Sequence, residues 1–168
     1  MPARFFGTYH QKVDGKGRVS IPLKMRRVIE SGDPDWDSEK GGTLYLVFGA
    51  HLDGFVEGYT AEEFDRLTDE IINMEEDEEG TRDRYQRLIL AKAMPLDVDK
   101  SGRAILSKEI REKLGIGEGG MDLLFTGLGD RMEIWPSSDY SQTVEEDDLE
   151  WLKSKGKSFR LRSKLGKR

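Results

Sequence analysis

Short apolar segments, each closed by turn formers, recur along the chain and predict strands. Thr8–Val13 and Ala93–Val98 each run into a tight turn, and Arg18–Ile21 and Arg103–Leu106 lead out of it. The runs TLYLVF and FVEGY follow in the first half, MDLLFT and RMEIW in the second, giving two more strands each. Between these runs the spacing turns helical. Pro22 suits a first helical turn, where its missing N–H would be unbonded anyway, and Met25, Val28 and Ile29 supply an apolar face. In the second half Ser107 is placed as an N-cap, Ile110 and Leu114 face inward, and Gly115 stops the helix.

The two halves are joined by a helical linker. Thr60 with Glu63 forms a capping-box pattern, and Phe64, Leu67 and Ile71 recur at helical spacing. The acidic run EEDEEG is expected to end that helix as a solvated terminus. A second helix is predicted from Thr81 to Lys92, with Tyr85, Leu88 and Ala91 or Lys92 along one side and Pro95 closing it.

An internal repeat underlies this symmetry. Aligning Asp14 with Asp99 pairs Val13 with Val98, Gly17 with Gly102, Arg18 with Arg103 and Arg26 with Arg111. A second match, at an offset of 76, pairs Tyr59 with Trp135, Glu57 with Glu133 and Phe64 with Tyr140. The difference between the offsets falls between the two matches, where the first half carries the longer loop SGDPDWDSEKGG and the second the shorter GIGEGG. Two matches with one insertion indicate a duplication, so the halves are expected to fold alike.

The repeated Asp-x-x-Gly-Arg turn carries the candidate chemistry. An Asp side chain accepts a backbone N–H two residues on, and Gly supplies a positive φ, so the motif reads as a turn. The arginine is not needed for that. Its planar fork of donors suits phosphate oxygens or guanine edges, and Asp14 can orient Arg18 through a charge-assisted bond. The alternative is an intramolecular ion pair that stiffens each hairpin and does nothing else.

Charge distribution sharpens the first reading. The net charge is -6, but residues 1–28 hold seven Lys/Arg against Asp14 alone, net +6. Residues 153–168 hold eight Lys/Arg and no acid, and the stretch between carries net -20. Two basic ends on an acidic body fit a polyanionic partner better than the net charge implies. The tail reads as a solvated extension, as a sequence-independent arm on DNA, or as a partner for a neighbour's acidic body.

Other chemistry is poorly served. The absence of cysteine removes disulfides, thiolate catalysis and cysteine-based metal sites. GIGEGG has the spacing of a dinucleotide loop but follows a helix and precedes a strand, the reverse of what such a site needs. His10 and His51 fall at unrelated places in the repeat, and a site built on His51 and Asp53 lacks further ligands. No nucleophile, base and orienter combine. No enzyme activity, cofactor, metal or small-molecule ligand is expected, nor any membrane partner or secretory signal.

The stretch FFGTYHQKVDGKGRVSIPLKMR resembles the opening of MraZ proteins, with Phe-x-Gly, Asp-x-Lys-Gly-Arg and a Pro before a helix. VDKSGRAILSKEIREKLGI with GDRMEIW is similar to the family's second half, although Ser107 stands where Pro is usual. The resemblance covers nearly all of residues 4–140. It implies an α+β fold of two tandem AbrB-like swapped-hairpin halves, forming one pseudo-symmetric β-barrel-like core with a helical linker. The expected divisions are 4–59, the linker 60–92, 93–140, and a C-terminal helix with basic tail over 141–168.

The function implied is that of a cytoplasmic, nucleoid-associated, sequence-specific repressor. It would bind direct repeats in double-stranded DNA upstream of the division and cell-wall gene cluster containing its own gene. A homo-oligomeric ring of the octamer or dodecamer class is implied as well. DNA contact maps onto the loops Asp14–Arg18 and Asp99–Arg103, with Arg18 first and Lys16 beside it on the phosphates. The full candidate set is Arg18, Lys16, Asp14, Lys12 and Arg4 in the first half, with Arg103, Lys100 and Asp99 in the second. Rival readings are a non-specific DNA-binding protein and an oligomeric protein-interaction module.

Overall fold

Each predicted hairpin opens and its two strands join different sheets. In the computed structural model, which describes residues 3–166, β1 (Thr8–Val13) pairs antiparallel with β7 (Met121–Gly127), a strand of the other half. Reciprocally, β5 (Ala93–Val98) pairs with β3 (Gly42–Val47). Adding β4 (Val56–Thr60) and β8 (Met132–Pro136) completes a six-stranded sheet in the order β1-β7-β8-β4-β3-β5. The other hairpin strands, β2 (Arg18–Ser20) and β6 (Arg103–Ile105), leave that sheet and pair with each other.

The fold class is α+β, but the barrel-like core is corrected to an open sheet. β2 and β6 satisfy one another, so β1 and β5 remain the edges of the six-stranded sheet. The edge position of β5 also explains Pro95, which lies within the strand and does not close a helix. A missing N–H is tolerated where no outer neighbour needs it.

Helices cover the sheet as their apolar spacing requires. α1 (Leu23–Ser31) starts after Pro22, which is the cap residue, and buries Met25 and Ile29. α2 (Ala61–Ile72) begins at Thr60, whose hydroxyl accepts from the Glu63 amide at 3.2 Å. It ends before the acidic run. Glu76 and Asp77 instead accept the amides of Thr81, Arg82 and Asp83, capping the start of α3 (Thr81–Tyr85). α3 widens into a π-helical turn, Gln86–Leu90, before β5. In α4 (Lys108–Leu114) Ser107 caps the start, Ile110 and Leu114 are buried, and Gly115 ends it at φ +74°.

The core gathers Ile21, Ile29, Leu44, Leu106, Ile110, Leu123, Phe125 and Ile134 from both halves. The chain forms two compact units, one running to Pro136 and one from Ser137. The second contains α5 (Ser137–Tyr140), a π-helical turn at Ser141–Glu145, α6 (Glu146–Lys155) and a 3-10 turn at Leu161–Lys164. There Phe159 meets Trp151 edge-on at 5.4 Å, and the Lys155 ammonium lies over the same indole. Residues 167 and 168 of the basic tail lie outside the described residues. Among the described residues no helix is long and apolar enough to cross a membrane.

Candidate nucleic-acid interface

The two Asp turns share the same pattern of bonds to backbone amides. In the first, Asp14 Oδ1 accepts the amides of Lys16 (3.0 Å) and Arg18 (2.9 Å), and the Gly17 amide donates to the Asp14 carbonyl. In the second, Asp99 Oδ1 accepts from Ser101 (2.8 Å) and Arg103 (2.9 Å), and Gly102 donates to the Asp99 carbonyl. Gly17 and Gly102 sit at φ +89° and +83°, a region side chains strain to enter. Each aspartate is held below the usual carboxylate range, first by the backbone N–H of its arginine.

The turns are also locked across the repeat. The Leu106 amide donates to the Gly17 carbonyl at 2.8 Å, and the Ile21 amide to the Gly102 carbonyl at 2.7 Å. Arg111 of α4 packs on Gly17 and donates through Nη1 to the carbonyls of Leu106 (2.7 Å) and Lys16 (3.3 Å). Its equivalent, Arg26 of α1, lies against Gly102. The repeat had paired these two arginines without assigning them a task. Their shared offset from the Asp turns was the signal; Arg111 bonds the turn of the opposite half, while Arg26 packs on Gly102 and faces Glu30 of its own helix at 3.6 Å.

These locks place the arginines on one surface. Val19 and Ala104 pair across the ribbon and are buried, so their neighbours project outward. The outer face therefore carries Arg18 opposite Ile105, and Ser20 opposite Arg103. The two arginines stand on the diagonal, as residues roughly 7–8 Å apart with their Cβ atoms somewhat closer. A concavity of about 780 Å³ lies over this face, lined also by Lys12, Pro95, Asp97 and Asp99.

The arginines are not equivalent. Arg18 Nε bonds Asp14 Oδ2 at 2.6 Å, an exposed ion pair that leaves the rest of the guanidinium facing out. No such pair joins Arg103 to Asp99 among the described residues. Lys16 is exposed at the first turn, whereas Lys100 at the second lies 3.7 Å from Glu39 of the long first-half loop. Gly41 of that loop presses on Val98 and Asp99, just as Gly120 of GIGEGG presses on Val13 and Asp14. The long first-half loop thus pairs an acid with the lysine of the second turn, whereas GIGEGG lays the backbone of Glu118 against Gly15 of the first.

Seven of the eight expected residues cluster at this face or its turns. Arg4 does not. It precedes Phe5, which bridges Gly129, so the whole of β1 (about 20 Å) separates it from Asp14. Among the described residues no group of three or more His, Asp or Glu is placed to hold a metal ion.

Residues 89–158 match the family described as "MraZ protein, putative antitoxin-like". A Ruegeria pomeroyi protein named transcriptional regulator MraZ is 36% identical over 154 residues, spanning 90% of this chain and 89% of its own. A protein of that name from Cereibacter sphaeroides is 37% identical, spanning 88% and 89%. A more distant relative of that name, from Mycoplasmoides gallisepticum, is 26% identical and spans 84% and 87%.

Proposed function

The chain belongs to the MraZ family, and we propose that it is a non-enzymatic transcriptional regulator that binds double-stranded DNA through the outer face of the β2–β6 ribbon. One observation carries this reading: the fold brings one arginine from each half onto a single exposed ribbon face, each at the base of a locked turn. The major groove of B-DNA admits a two-stranded ribbon, and arginine matches the acceptor pair of guanine. A fixed hairpin saves the entropy of ordering a long side chain on a flexible loop. The first hairpin is the stronger half, because its lysine is free of the acid that Lys100 meets.

The exchange of strands between halves supports a tandem swapped-hairpin chain over 4–59 and 93–140, joined by the linker 60–92 and followed by 141–168. One ribbon offers few contacts, so several on a homo-oligomeric ring acting on direct repeats would gain through effective concentration. Repression of its own division and cell-wall gene cluster, in the cytoplasm at the nucleoid, is included in this proposal on the resemblance to MraZ proteins alone.

The test is fluorescence anisotropy of the full chain with a duplex from upstream of its own gene and a shuffled duplex, at two salt concentrations. Wild type should prefer the native duplex, and Arg18→Ala should lose that preference. If both proteins bind both duplexes equally, and only salt matters, general charge does the binding and this reading fails.

A further inference from the structure

The ribbon face breaks its own symmetry at one pair of positions. A pseudo-two-fold axis runs through the Val19–Ala104 pair and exchanges Arg18 with Arg103. The same axis exchanges Ser20 with Ile105. Among these four outward residues, two are identical and two differ as much as a hydroxyl differs from a branched hydrocarbon.

Ile105 is 65% exposed. The solvent side of a two-stranded ribbon is ordinarily polar, and Ser20 obeys that rule. Ile105 stands directly opposite Arg18, two residues from Arg103, in the concavity that Lys12, Pro95, Asp97 and Asp99 border. Whatever covers it must therefore present apolar surface beside acceptors that satisfy guanidinium groups. A major-groove edge offers both: guanine presents two acceptors, and thymine presents its C5 methyl.

We propose that Ile105 is a specificity-determining residue that packs on the C5 methyl of a thymine next to the base edge met by Arg18. Ser20 makes no such contact at the mirrored position, so the ribbon has a direction on the duplex. The proposal rests on the DNA-binding reading above and adds the base recognised at one position.

The experiment replaces single thymines by deoxyuridine, one at a time, through the native duplex, deleting a methyl and nothing else. Anisotropy is read with the full-length wild type, Ile105→Ser and Ser20→Ile. Burying one methyl group is about a fourfold effect in affinity. Wild type should therefore lose about fourfold at one or two thymines, and Ile105→Ser should be indifferent at those same positions. Ser20→Ile should acquire methyl dependence at a position mirrored across the site.

A flat deoxyuridine profile for wild type, or one unchanged in Ile105→Ser, overturns the proposal. So does a change of oligomeric state in Ile105→Ser with its methyl dependence intact, which would assign the isoleucine to a second copy of the chain. Arg18→Ala separates the two levels. If it abolishes preference for the native duplex while the profile stays flat, the DNA reading stands and only the role of Ile105 falls.

Discussion

Glu57 and Glu133 stand directly opposite each other where β4 meets β8, two carboxylates in one cross-strand pair. Like charges so placed repel, and each is anchored by an aromatic donor two residues on. The Tyr59 hydroxyl donates to Glu57 at 3.1 Å, and Trp135 Nε1 donates to Glu133 at 2.9 Å. Burial and the Glu57 charge push the Tyr59 hydroxyl pKa well up, so it remains a donor. The asymmetry lies in Arg131, which bonds Glu57 at 2.9 Å and Asp130 at 3.0 Å. Its equivalent in the first half is Phe55, which stacks on Trp135.

Arg131→Met should therefore destabilise the chain by about 1–3 kcal/mol, the cost of stripping a half-buried acceptor of its charged donor. Urea unfolding measures it, and adding Glu57→Gln should restore most of the loss. A double variant no more stable than the single would mean that the arginine acts by packing, not by neutralising the pair.

The two turn glycines should respond unequally to alanine. Both need a positive φ, which costs a side chain roughly 1–2 kcal/mol. A Cβ on Gly17 would also run into the Leu106 carbonyl, part of the backbone lock between halves. On Gly102 it would meet the flexible end of Arg26 at 3.0 Å. Gly17→Ala should unfold at clearly lower urea than Gly102→Ala, and equal midpoints would contradict the lock.

Removing the donors of Arg111 while keeping its stem, as in Arg111→Met, should loosen the first turn alone. Two hydrogen bonds are lost, each contributing roughly 0.5–1.5 kcal/mol. Amide hydrogen exchange should quicken at Gly17 and Leu106 but not at Gly102 and Ile21. Equal quickening at both turns would point to general destabilisation.

Acid should weaken the hairpins in a defined direction. The folded state holds Asp14, Asp99 and Asp77 below their ordinary range, the first two through arginine amides and Asp77 first through the Thr81 hydroxyl. Near pH 4 the unfolded chain binds more protons, so this stabilisation is complete above ~3.9 and is lost as pH falls through the folded-state values. The stability gap between wild type and Asp14→Asn should be widest at neutral pH and close below that point. A gap constant down to pH 2 would show that charge is not what Asp14 contributes.

Local chemistry was legible residue by residue in the sequence. β1 and β5 lie where alternation and the turns put them, and Thr60, Ser107 and Gly115 cap their helices as their side chains and φ preferences dictate. The Asp turns were legible for the same reason, since their bonds close within five residues. What the sequence did not reveal is non-local. A duplication shows that two halves are alike, yet Thr8–Val13 looks the same whether it pairs within its half or with Met121–Gly127. The pairing of β2 with β6, which leaves β1 and β5 as edges and the sheet open, is just as non-local. The π-helical turns at Gln86–Leu90 and Ser141–Glu145 have no periodic signature of their own, and the pairing of Glu39 with Lys100 joins segments sixty residues apart.

The exchange of strands between halves also has a consequence in time. A ribosome adds roughly 5–20 residues each second, so Arg18 is made several seconds before Arg103 and β7 exist to receive its hairpin. Until then β1 and β2 have no sheet to join. The outward arginine pair therefore exists only in a chain translated past β6, and the sheet that receives β1 only in one translated past β7.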